Sequence, residues 1–223
     1  VVRLSGMRKV VAERMFSSHS QIPPVTQTIK VDVSKLLSFR KEINSEREEK
    51  FSVNDFILKA VSKALSVSRN MLVSLDGDKV IKRAHINIGM AVALEEGLIV
   101  PVIKDADKMG LEELSKIARD LASRAKDGSL GMDEYKGSTF TVSNLGMFGI
   151  ESFTPIINQP DAAILGVCAI EDELAMDYEG KIFKKSVIRL SLTYDHRLID
   201  GATAAVFEQK LKALLEEPIN ILL

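Results

Sequence analysis

The most constraining stretch of this chain lies near its C-terminal end, where an apolar pattern of period two gives way to one of helical period. In residues 188–194 the apolar side chains occupy every second position, which predicts a strand with one buried face. In residues 202–215 they recur at helical spacing. His196, Asp200 and Gly201 therefore fall in a strand-to-helix connection, which is a common location for catalytic groups.

The residue types in this connection suit proton transfer. His196 is one of three histidines in the chain, and a neutral imidazole, with a pKa near ~6.5, is the usual side chain for taking up a proton at neutral pH. A carboxylate such as that of Asp200 can hold a neighbouring group through an ion pair. Gly201 lets the backbone turn where a side chain would clash. Taken alone, these residues also fit a solvated surface loop.

Four segments in order resemble one enzyme family. Residues 196–201 match the His-x-x-x-Asp-Gly motif of chloramphenicol-acetyltransferase-like acyltransferases, and residues 194–201, Tyr-Asp-His-Arg-Leu-Ile-Asp-Gly, resemble the dihydrolipoyl acyltransferases of 2-oxo acid dehydrogenase complexes. The short motif alone also occurs in peptide-synthetase condensation domains. The resemblance therefore depends on three further segments: residues 4–15, residues 97–107, and residues 139–146 with their continuation through Asn158 to 162–167.

The resemblance implies an α/β chain folded as a two-layer sandwich with a mixed sheet, chloramphenicol-acetyltransferase-like, in which residues 1–223 form one catalytic core domain. Family members carry mobile lipoyl domains and a small subunit-binding domain upstream. Because the chain starts at Val1 without a targeting pattern, we expect a domain of a longer protein. The expected location is the cytoplasm in a prokaryote or the mitochondrial matrix in a eukaryote.

Periodicity predicts the elements of such a mixed fold. The order of helices and strands is irregular, which favours a mixed sheet with helices on one face over a doubly wound sheet. Ser5 is a plausible N-cap of the first helix, and Ser52 with Asp55 forms a capping pair for the third. The segments 95–97 and 178–180 indicate hairpin turns. The predicted helices are 6–18, 34–47, 53–69, 111–127 and 201–216. The predicted strands are 25–33, 79–83, 85–94, 98–103, 138–143, 162–170, 174–178, 181–186 and 187–194.

Composition excludes several other classes. A formal net charge of −1, with basic residues spread among acidic ones, argues against a nucleic-acid partner. No apolar run approaches the ~20 residues of a membrane span. The one cysteine, Cys168, lies in an apolar run and is expected to be a buried structural thiol. His19, His85 and His196 are too scattered to indicate a metal site, and the first two are expected to be structural.

A second candidate element lies at residues 139–143, where hydroxyl side chains alternate with apolar ones. The resemblance implies that Ser143 donates a hydrogen bond to the transition-state oxyanion and that His196 is the base in acyl transfer between coenzyme A and a dihydrolipoyl group. The lipoyl group would be carried on an upstream domain. By chemistry alone Asn144 is a rival donor, or a substrate-binding residue.

The role of Asp200 has two interpretations. It could orient His196 directly, or it could hold the loop through an ion pair with an arginine near the start of the domain, as in the wider fold family. The resemblance favours the structural pair, with Arg8 or Arg14 on the first helix as partner. One departure is that family members often carry a histidine where this chain has Pro24, so no role for that histidine carries over.

The resemblance also implies partners. We expect trimers with active sites shared between neighbours, assembling into a polyhedral core through apolar contacts of residues 218–223, with decarboxylase and dihydrolipoamide dehydrogenase components attached through upstream domains. Residues 145–149 resemble acetyl-transferring more than succinyl-transferring members, and branched-chain acyl groups stay possible. The alternatives are another acyltransferase of this fold acting on a hydroxyl, such as a chloramphenicol acetyltransferase, and a domain that acts mainly as a scaffold.

Overall fold

The computed structural model describes residues 3–94 and 97–223, which fold around a mixed sheet. The helices are α1 (Gly6–Gln21), α2 (Ser34–Ser45), α3 (Val53–Ser66), α4 (Leu111–Asp127), α5 (Gly201–Glu216) and α6 (Ile219–Leu222). The strands are β1 (Pro24–Asp32), β2 (Val73–Asp76), β3 (Lys79–Lys82), β4 (Ile88–Met90), β5 (Val92–Leu94), β6 (Gly97–Ile99), β7 (Val102–Ile103), β8 (Phe140–Asn144), β9 (Ala163–Met176) and β10 (Ile182–Asp195). Short 3-10 helices lie at Arg69–Met71, Met132–Tyr135 and Gly146–Phe148.

Six strands form the main sheet, in the order β1-β10-β9-β8-β4-β7. The β1–β10 and β10–β9 pairs are antiparallel, the β9–β8 and β8–β4 pairs are parallel, and β4–β7 is antiparallel. Two small hairpins, β2–β3 and β5–β6, lie outside this sheet. The mixed sheet predicted from the irregular order of elements is confirmed.

The two faces of the sheet differ in chemistry. On β10 the alternate residues Leu190, Leu192 and Tyr194 are fully buried in the main apolar core, together with residues from α2, α3, α4 and α5. Because side chains alternate along a strand, Ser191 and Thr193 occupy the opposite face. There they meet hydroxyls of β1: Thr26 with Thr193 at 2.7 Å and Thr28 with Ser191 at 3.1 Å.

Local signals that depend on neighbouring residues are confirmed. Ser52 and Asp55 form a reciprocal capping box at the start of α3. Gly128 ends α4 at a φ of +68°, in the left-handed region that glycine adopts without a steric penalty. The turn at 178–180 joins β9 to β10. Ser5 precedes α1 as predicted, although its side chain makes no capping hydrogen bond. Of the turn predicted at 95–97, residues 95 and 96 lie outside the described residues.

The strand boundaries needed correction. The predicted strands 162–170 and 174–178 are one strand, β9, and 181–186 and 187–194 are one strand, β10. The acidic stretch Glu171–Glu173 resembles a turn in the sequence, but cross-strand ion pairs hold it in the ladder. Asp172 pairs with Lys184 and Glu171 with Arg189, each at 2.8 Å.

Two other predicted strands are broken, and one strand was missed. The segment 85–94 divides into β4 and β5, which belong to different sheets, and 98–103 divides into β6 and β7. The strand that was missed is β2, which pairs with β3 in a hairpin outside the main sheet. Within the described residues, no helix is both long enough and apolar enough to span a membrane.

Candidate active site

His196 stands at the carboxyl end of β10 with its imidazole exposed to solvent. Its backbone N–H donates to the carbonyl of Pro23 at 3.2 Å, so the chain before β1 fixes the position of the turn. Its ring lies 5.8 Å from that of the fully buried Tyr194. The strand therefore presents an exposed imidazole from a rigid, buried support.

The residues on either side of His196 form an ion pair that sequence reasoning missed. Asp195 is buried, and its two carboxylate oxygens accept from Nε and Nη2 of Arg197 at 2.9 and 2.7 Å. The Arg197 backbone N–H donates to the same carboxylate at 3.0 Å. This hydrogen bonding raises the pKa of Arg197 above its ordinary value. The available signal was the two charged residues that flank His196 in the 194–201 motif.

Asp200 caps the helix that follows. Its Oδ1 accepts from the backbone N–H of Thr203 at 2.7 Å, so it is the N-cap residue of α5. Hydrogen bonds from Thr203 hold the pKa of this carboxyl below its usual value. This capping role acts through the backbone of α5.

The predicted ion pair of Asp200 with Arg8 or Arg14 is wrong within this chain. Arg14 Nη2 donates instead to the carbonyl oxygen of Gln159 at 2.8 Å and to Asn158 Oδ1 at 3.3 Å. Arg8 is exposed on α1. The physical reason is that the helix N-terminus offers Asp200 unsatisfied N–H donors at closer range.

Gly201 is needed for close packing beside His196. A Cβ at this position would lie 3.2 Å from Gln27 Nε2 and 3.6 Å from Tyr194 Oη. Gln27 Nε2 donates to the carbonyl of Gly201 at 3.2 Å, which ties β1 to the first turn of α5. On the same helix Glu208 is buried, and burial raises its pKa to about 7.

Ser143 is buried near the end of β8. In the strand register it pairs with Gly166 of β9, which pairs in turn with Ser191 of β10. It therefore lies on the hydroxyl-bearing face, as the alternation in residues 139–143 indicated. Its neighbour Asn144 donates to Asn54 Oδ1 at 3.0 Å and accepts from the Gly146 N–H at 2.9 Å. In the described part of the chain no group is hydrogen-bonded to the Ser143 hydroxyl. Of the two candidate donors, Ser143 is therefore the one whose side chain has no hydrogen-bond partner among the described residues.

One chain does not bring His196 and Ser143 together. The β10 residue in register with Ser143 is Ser191, which lies two strands away. His196 follows Ser191 by five positions along the chain. At about 3.3 Å per residue this offset amounts to roughly 16 Å along β10, in addition to two strand spacings. The two residues cannot contact one substrate atom within a single chain.

Two cavities flank the sheet end that carries His196. The larger, about 550 Å³, is lined by Ser68, Arg69, Thr203 and Lys210 among others. In it Lys210 Nζ donates to the Val67 carbonyl at 2.8 Å. The smaller cavity, about 240 Å³, opens on the hydroxyl-bearing face. Its lining includes Ser18, His19, Pro24, Thr26, Ile157 and Thr193.

The remaining predicted residues have structural surroundings. Cys168 is buried, as predicted, and burial raises the pKa of its thiol, which disfavours the nucleophilic thiolate. His85 Nδ1 lies 2.7 Å from Asp105 Oδ1. Across residues 3–94 and 97–223, no three His, Cys, Asp or Glu side chains group so as to hold a metal ion.

Comparison with known proteins gives consistent matches over the whole chain. The family model described as 2-oxoacid dehydrogenases acyltransferase (catalytic domain) matches residues 1–223. The chain is 40% identical over 227 positions to the dihydrolipoyllysine-residue acetyltransferase component of the acetoin cleaving system of Bacillus subtilis, covering 100% of this chain and 56% of that protein. It is 38% identical to the dihydrolipoyllysine-residue succinyltransferase component of the 2-oxoglutarate dehydrogenase complex of Rickettsia conorii, covering 100% and 57%. The chain thus spans little more than half the length of these relatives.

Solved structures agree with this assignment. The cubic core of the pyruvate dehydrogenase multienzyme complex superposes with a TM-score of 0.91 at 35% identity, over 100% of this chain and 95% of that chain. A chloramphenicol acetyltransferase superposes with a TM-score of 0.61 at 17% identity, over 91% and 94%. At that identity the second likeness establishes the fold alone, which is the predicted two-layer architecture.

Proposed function

Because the chain belongs to the family of 2-oxoacid dehydrogenase acyltransferase catalytic domains, we propose that it transfers an acyl group between a dihydrolipoyl thiol and the thiol of coenzyme A. The observation that carries this proposal is the geometry of His196. It is an exposed imidazole, backed by Tyr194 and flanked by the Asp195–Arg197 ion pair, at the end of a core strand. Such an arrangement fits a general base that acts on a substrate arriving from solvent.

The reaction needs a base because of the thiol. A free alkyl thiol has a pKa near ~8.5, so little thiolate exists at neutral pH. His196 takes the proton from the attacking thiol, and the thiolate sulfur forms a bond to the thioester carbonyl carbon. The carbon–sulfur bond to the departing thiol then breaks, and His196 returns the proton to that sulfur. Both thiols are substrates, so no acyl-enzyme is required.

Ser143 serves as the oxyanion donor in this proposal. Its hydroxyl lies on the polar face of β8 and is not engaged by described neighbours, whereas the Asn144 amide is already bonded to Asn54. A preorganised donor of this kind contributes about 3 kcal/mol to transition-state stabilisation. Since Ser143 and His196 lie far apart in one chain, the donor and the base come from adjacent subunits.

The larger cavity is suited to the phosphates of coenzyme A. Lys210 and Arg69 supply two cations, and Ser68 and Thr203 supply hydroxyl donors. Lys210 Nζ contacts two oxygen acceptors, Val67 O at 2.8 Å and Ser68 Oγ at 3.3 Å, and this holds the ammonium at the cavity wall. Thr203 is also the residue that Asp200 caps, so the cavity begins at the loop that carries His196.

Assembly follows from exposed apolar surface. At the outer part of the β9–β10 hairpin, Leu174 and Met176 are 77% and 70% exposed, and on α6 Ile219 is 50% exposed. Apolar patches of this kind mark interaction sites, and a closed symmetric assembly buries them without open-ended polymerisation. We propose trimers joined into a polyhedral core, to which decarboxylase and dihydrolipoamide dehydrogenase components attach through upstream domains.

The acyl group is proposed to be acetyl or a branched-chain acyl group. A succinyl carboxylate would need an unpaired cation near Ser143 or His196. Arg197, next to His196, forms an ion pair with Asp195, and Arg189 on β10 forms one with Glu171. Neither guanidinium is therefore free to bind a succinyl carboxylate. The rival of this fold transfers the acyl group to a hydroxyl acceptor, and the likeness to a chloramphenicol acetyltransferase, at 17% identity, supports the fold alone.

His196→Ala is expected to lower kcat for transfer from acetyl-CoA to free dihydrolipoamide by about 10²- to 10⁴-fold, because the base is lost. His85→Ala, which removes a surface histidine, serves as the matched control and should keep wild-type turnover. Isobutyryl-CoA, succinyl-CoA and chloramphenicol are run in the same steady-state assay to identify the acyl group and the acceptor. Near-normal turnover by His196→Ala would remove this residue from the mechanism.

Ser143→Ala is expected to lower kcat by roughly 10²- to 10³-fold with little change in KM, since the donor acts mainly in the transition state. Ser191→Ala removes a neighbouring hydroxyl on the same face and should leave kcat almost unchanged. If Asn144→Ala shows the large loss and Ser143→Ala does not, the donor is the amide.

Lys210→Ala is expected to raise KM for acetyl-CoA by about tenfold with kcat nearly constant, because it removes binding shared by ground and transition states. Lys212→Ala provides the control on the same helix, since Lys212 pairs with Glu216 at 3.7 Å outside the cavity. An unchanged KM in Lys210→Ala would place coenzyme A elsewhere.

Light scattering tests the shared site. We expect a very large particle for the 223-residue chain and a trimer for a chain that ends after Pro218, because the truncation removes α6. His196→Ala should form the same particle as wild type, which separates assembly from catalysis and tests the scaffold alternative. A monodisperse monomer with full activity at micromolar concentration would contradict sharing, since one chain separates Ser143 from His196.

A further inference from the structure

A buried carboxylate lies beside the strand that carries Ser143 and plays no part in the chemistry described above. Asp161 lies two residues before the start of β9 and is only 3% exposed. Its Oδ1 accepts from the Ser138 hydroxyl at 2.9 Å, and its Oδ2 accepts from the Thr141 hydroxyl at 2.6 Å. No cation among the described residues lies within ion-pair distance of it, so hydroxyl groups alone solvate the carboxylate.

The hydrogen bonds continue from Thr141 to the first helix. Thr141 Oγ1 accepts from Asn158 Nδ2 at 3.2 Å, and Asn158 Oδ1 in turn accepts from Arg14 Nη2 at 3.3 Å. The Arg14 guanidinium also donates to the Gln159 carbonyl at 2.8 Å. A chain of three hydrogen bonds thus links a cation on α1 to the carboxylate next to β9.

This chain supports two parts of the proposed site at once. Thr141 precedes Ser143 by two residues on β8, so both side chains are on the same face of the strand. Ile157, next to Asn158, lines the smaller cavity, and Ser18 of α1 donates to its carbonyl at 2.7 Å. The packing is close, because a Cβ at Gly89 would lie 2.9 Å from Thr141 Oγ1.

We propose that Asp161 is a positioning residue for acyl transfer: through Thr141 its carboxylate fixes the section of β8 that presents Ser143, and through Asn158 it ties that strand to α1. The inference rests on the proposed function. It concerns a residue that acts through others, since Asp161 is buried and its carboxylate accepts from Thr141.

The two hydrogen bonds that Asp161 accepts from Ser138 and Thr141 depend on the ionisation of its carboxyl group. Burial raises the pKa of the Asp161 carboxyl to about 7, against the attraction of Arg14 on α1 and Arg83 next to β3, the charged groups that face it. Ionised, the carboxylate accepts both hydroxyls. Once protonated, it has a proton of its own to donate, and Ser138 or Thr141 must turn to accept it. The geometry of β8 therefore changes with pH near neutrality.

The sign of the stability effect is opposite to that of the functional effect. The pKa in the folded chain lies above the ordinary value of 3.8. The contribution of Asp161 to stability is therefore full below about pH 4 and is lost as the pH rises through about 7. Asp161→Asn, which is neutral at every pH, is expected to have an unchanged or higher Tm at pH 8. A lower kcat in this variant is then not a result of unfolding.

The experiment compares kcat and KM of the assembled wild type, Asp161→Asn and Thr141→Val from pH 5.5 to 8.5. We expect the ratio of wild-type to Asp161→Asn kcat to be about 10 to 100 at pH 8.5, with KM within about twofold, and to approach one near pH 5.5, where the wild-type carboxyl is protonated. Thr141→Val, which removes the hydroxyl itself, should lower kcat at both ends of this pH range. Asp127→Asn, a substitution on the exposed end of α4, should give a ratio of one throughout. A ratio that is near one at pH 8.5, or that does not change with pH, overturns the inference.

Hydrogen exchange of residues 140–144 supplies a measurement that does not depend on activity. We expect faster exchange in Asp161→Asn than in wild type at pH 8, and equal exchange at pH 5.5 after correction for the intrinsic rate. Absence of acyl transfer in the wild type would contradict the proposed function. In that case the hydrogen-exchange data by themselves would test whether Asp161 positions β8. Equal exchange at both pH values would overturn that role.

Discussion

The pairing of β10 on both sides, from Val187 to its C-terminal part, is the constraint on which the rest of the structure depends. β1 covers one edge of this strand from Val187 to Asp195, and β9 covers the other edge. Leu190, Leu192 and Tyr194 anchor one face in the apolar core with no exposed surface. A strand held in this way cannot shift register without exposing its apolar set. The turn at its end therefore presents His196 from a fixed position.

The opposite face of the same sheet has a different physical character. Its hydroxyl groups pair with one another, as Thr26 does with Thr193, and they can accept or donate as a ligand requires. Its members Thr141, Ser191 and Thr193 are buried within the chain itself. In the proposed mechanism Ser143 donates to the oxyanion, and the proposed base, His196, lies five residues beyond Ser191, the β10 residue in register with Ser143.

Buried acids are the stability cost of this arrangement. Asp161 and Glu208 are each almost inaccessible to solvent, and burial raises the pKa of each carboxyl group to about 7. Neither has a cationic partner at ion-pair distance among the described residues, so ionisation at neutral pH reduces stability. Natural proteins accept such groups where they position something else. Asp161 lies beside Thr141 of the Ser143 strand, and Glu208 lies on the helix that follows His196.

The sequence by itself determined the elements whose signals are local. The period of the apolar residues gave α4 and α5 at their observed bounds, and the capping residues Ser52 and Asp55 gave the start of α3. The motif around His196 located the exposed imidazole, because a strand that runs into a helix leaves only a short connection between them. These features depend on neighbours within a few positions, which a sequence displays directly.

Only the tertiary structure decided the features that join distant residues. The continuity of β9 through Glu171–Glu173 depends on ion pairs with β1 and β10. The ion pair expected between Asp200 and Arg8 or Arg14 gave way to a helix cap, since free backbone donors lie nearer to Asp200 than either guanidinium. The link from Arg14 through Asn158 and Thr141 to Asp161 spans most of the chain. No local pattern encodes it, because hydrogen-bond partners are chosen by distance in space and not by separation in sequence.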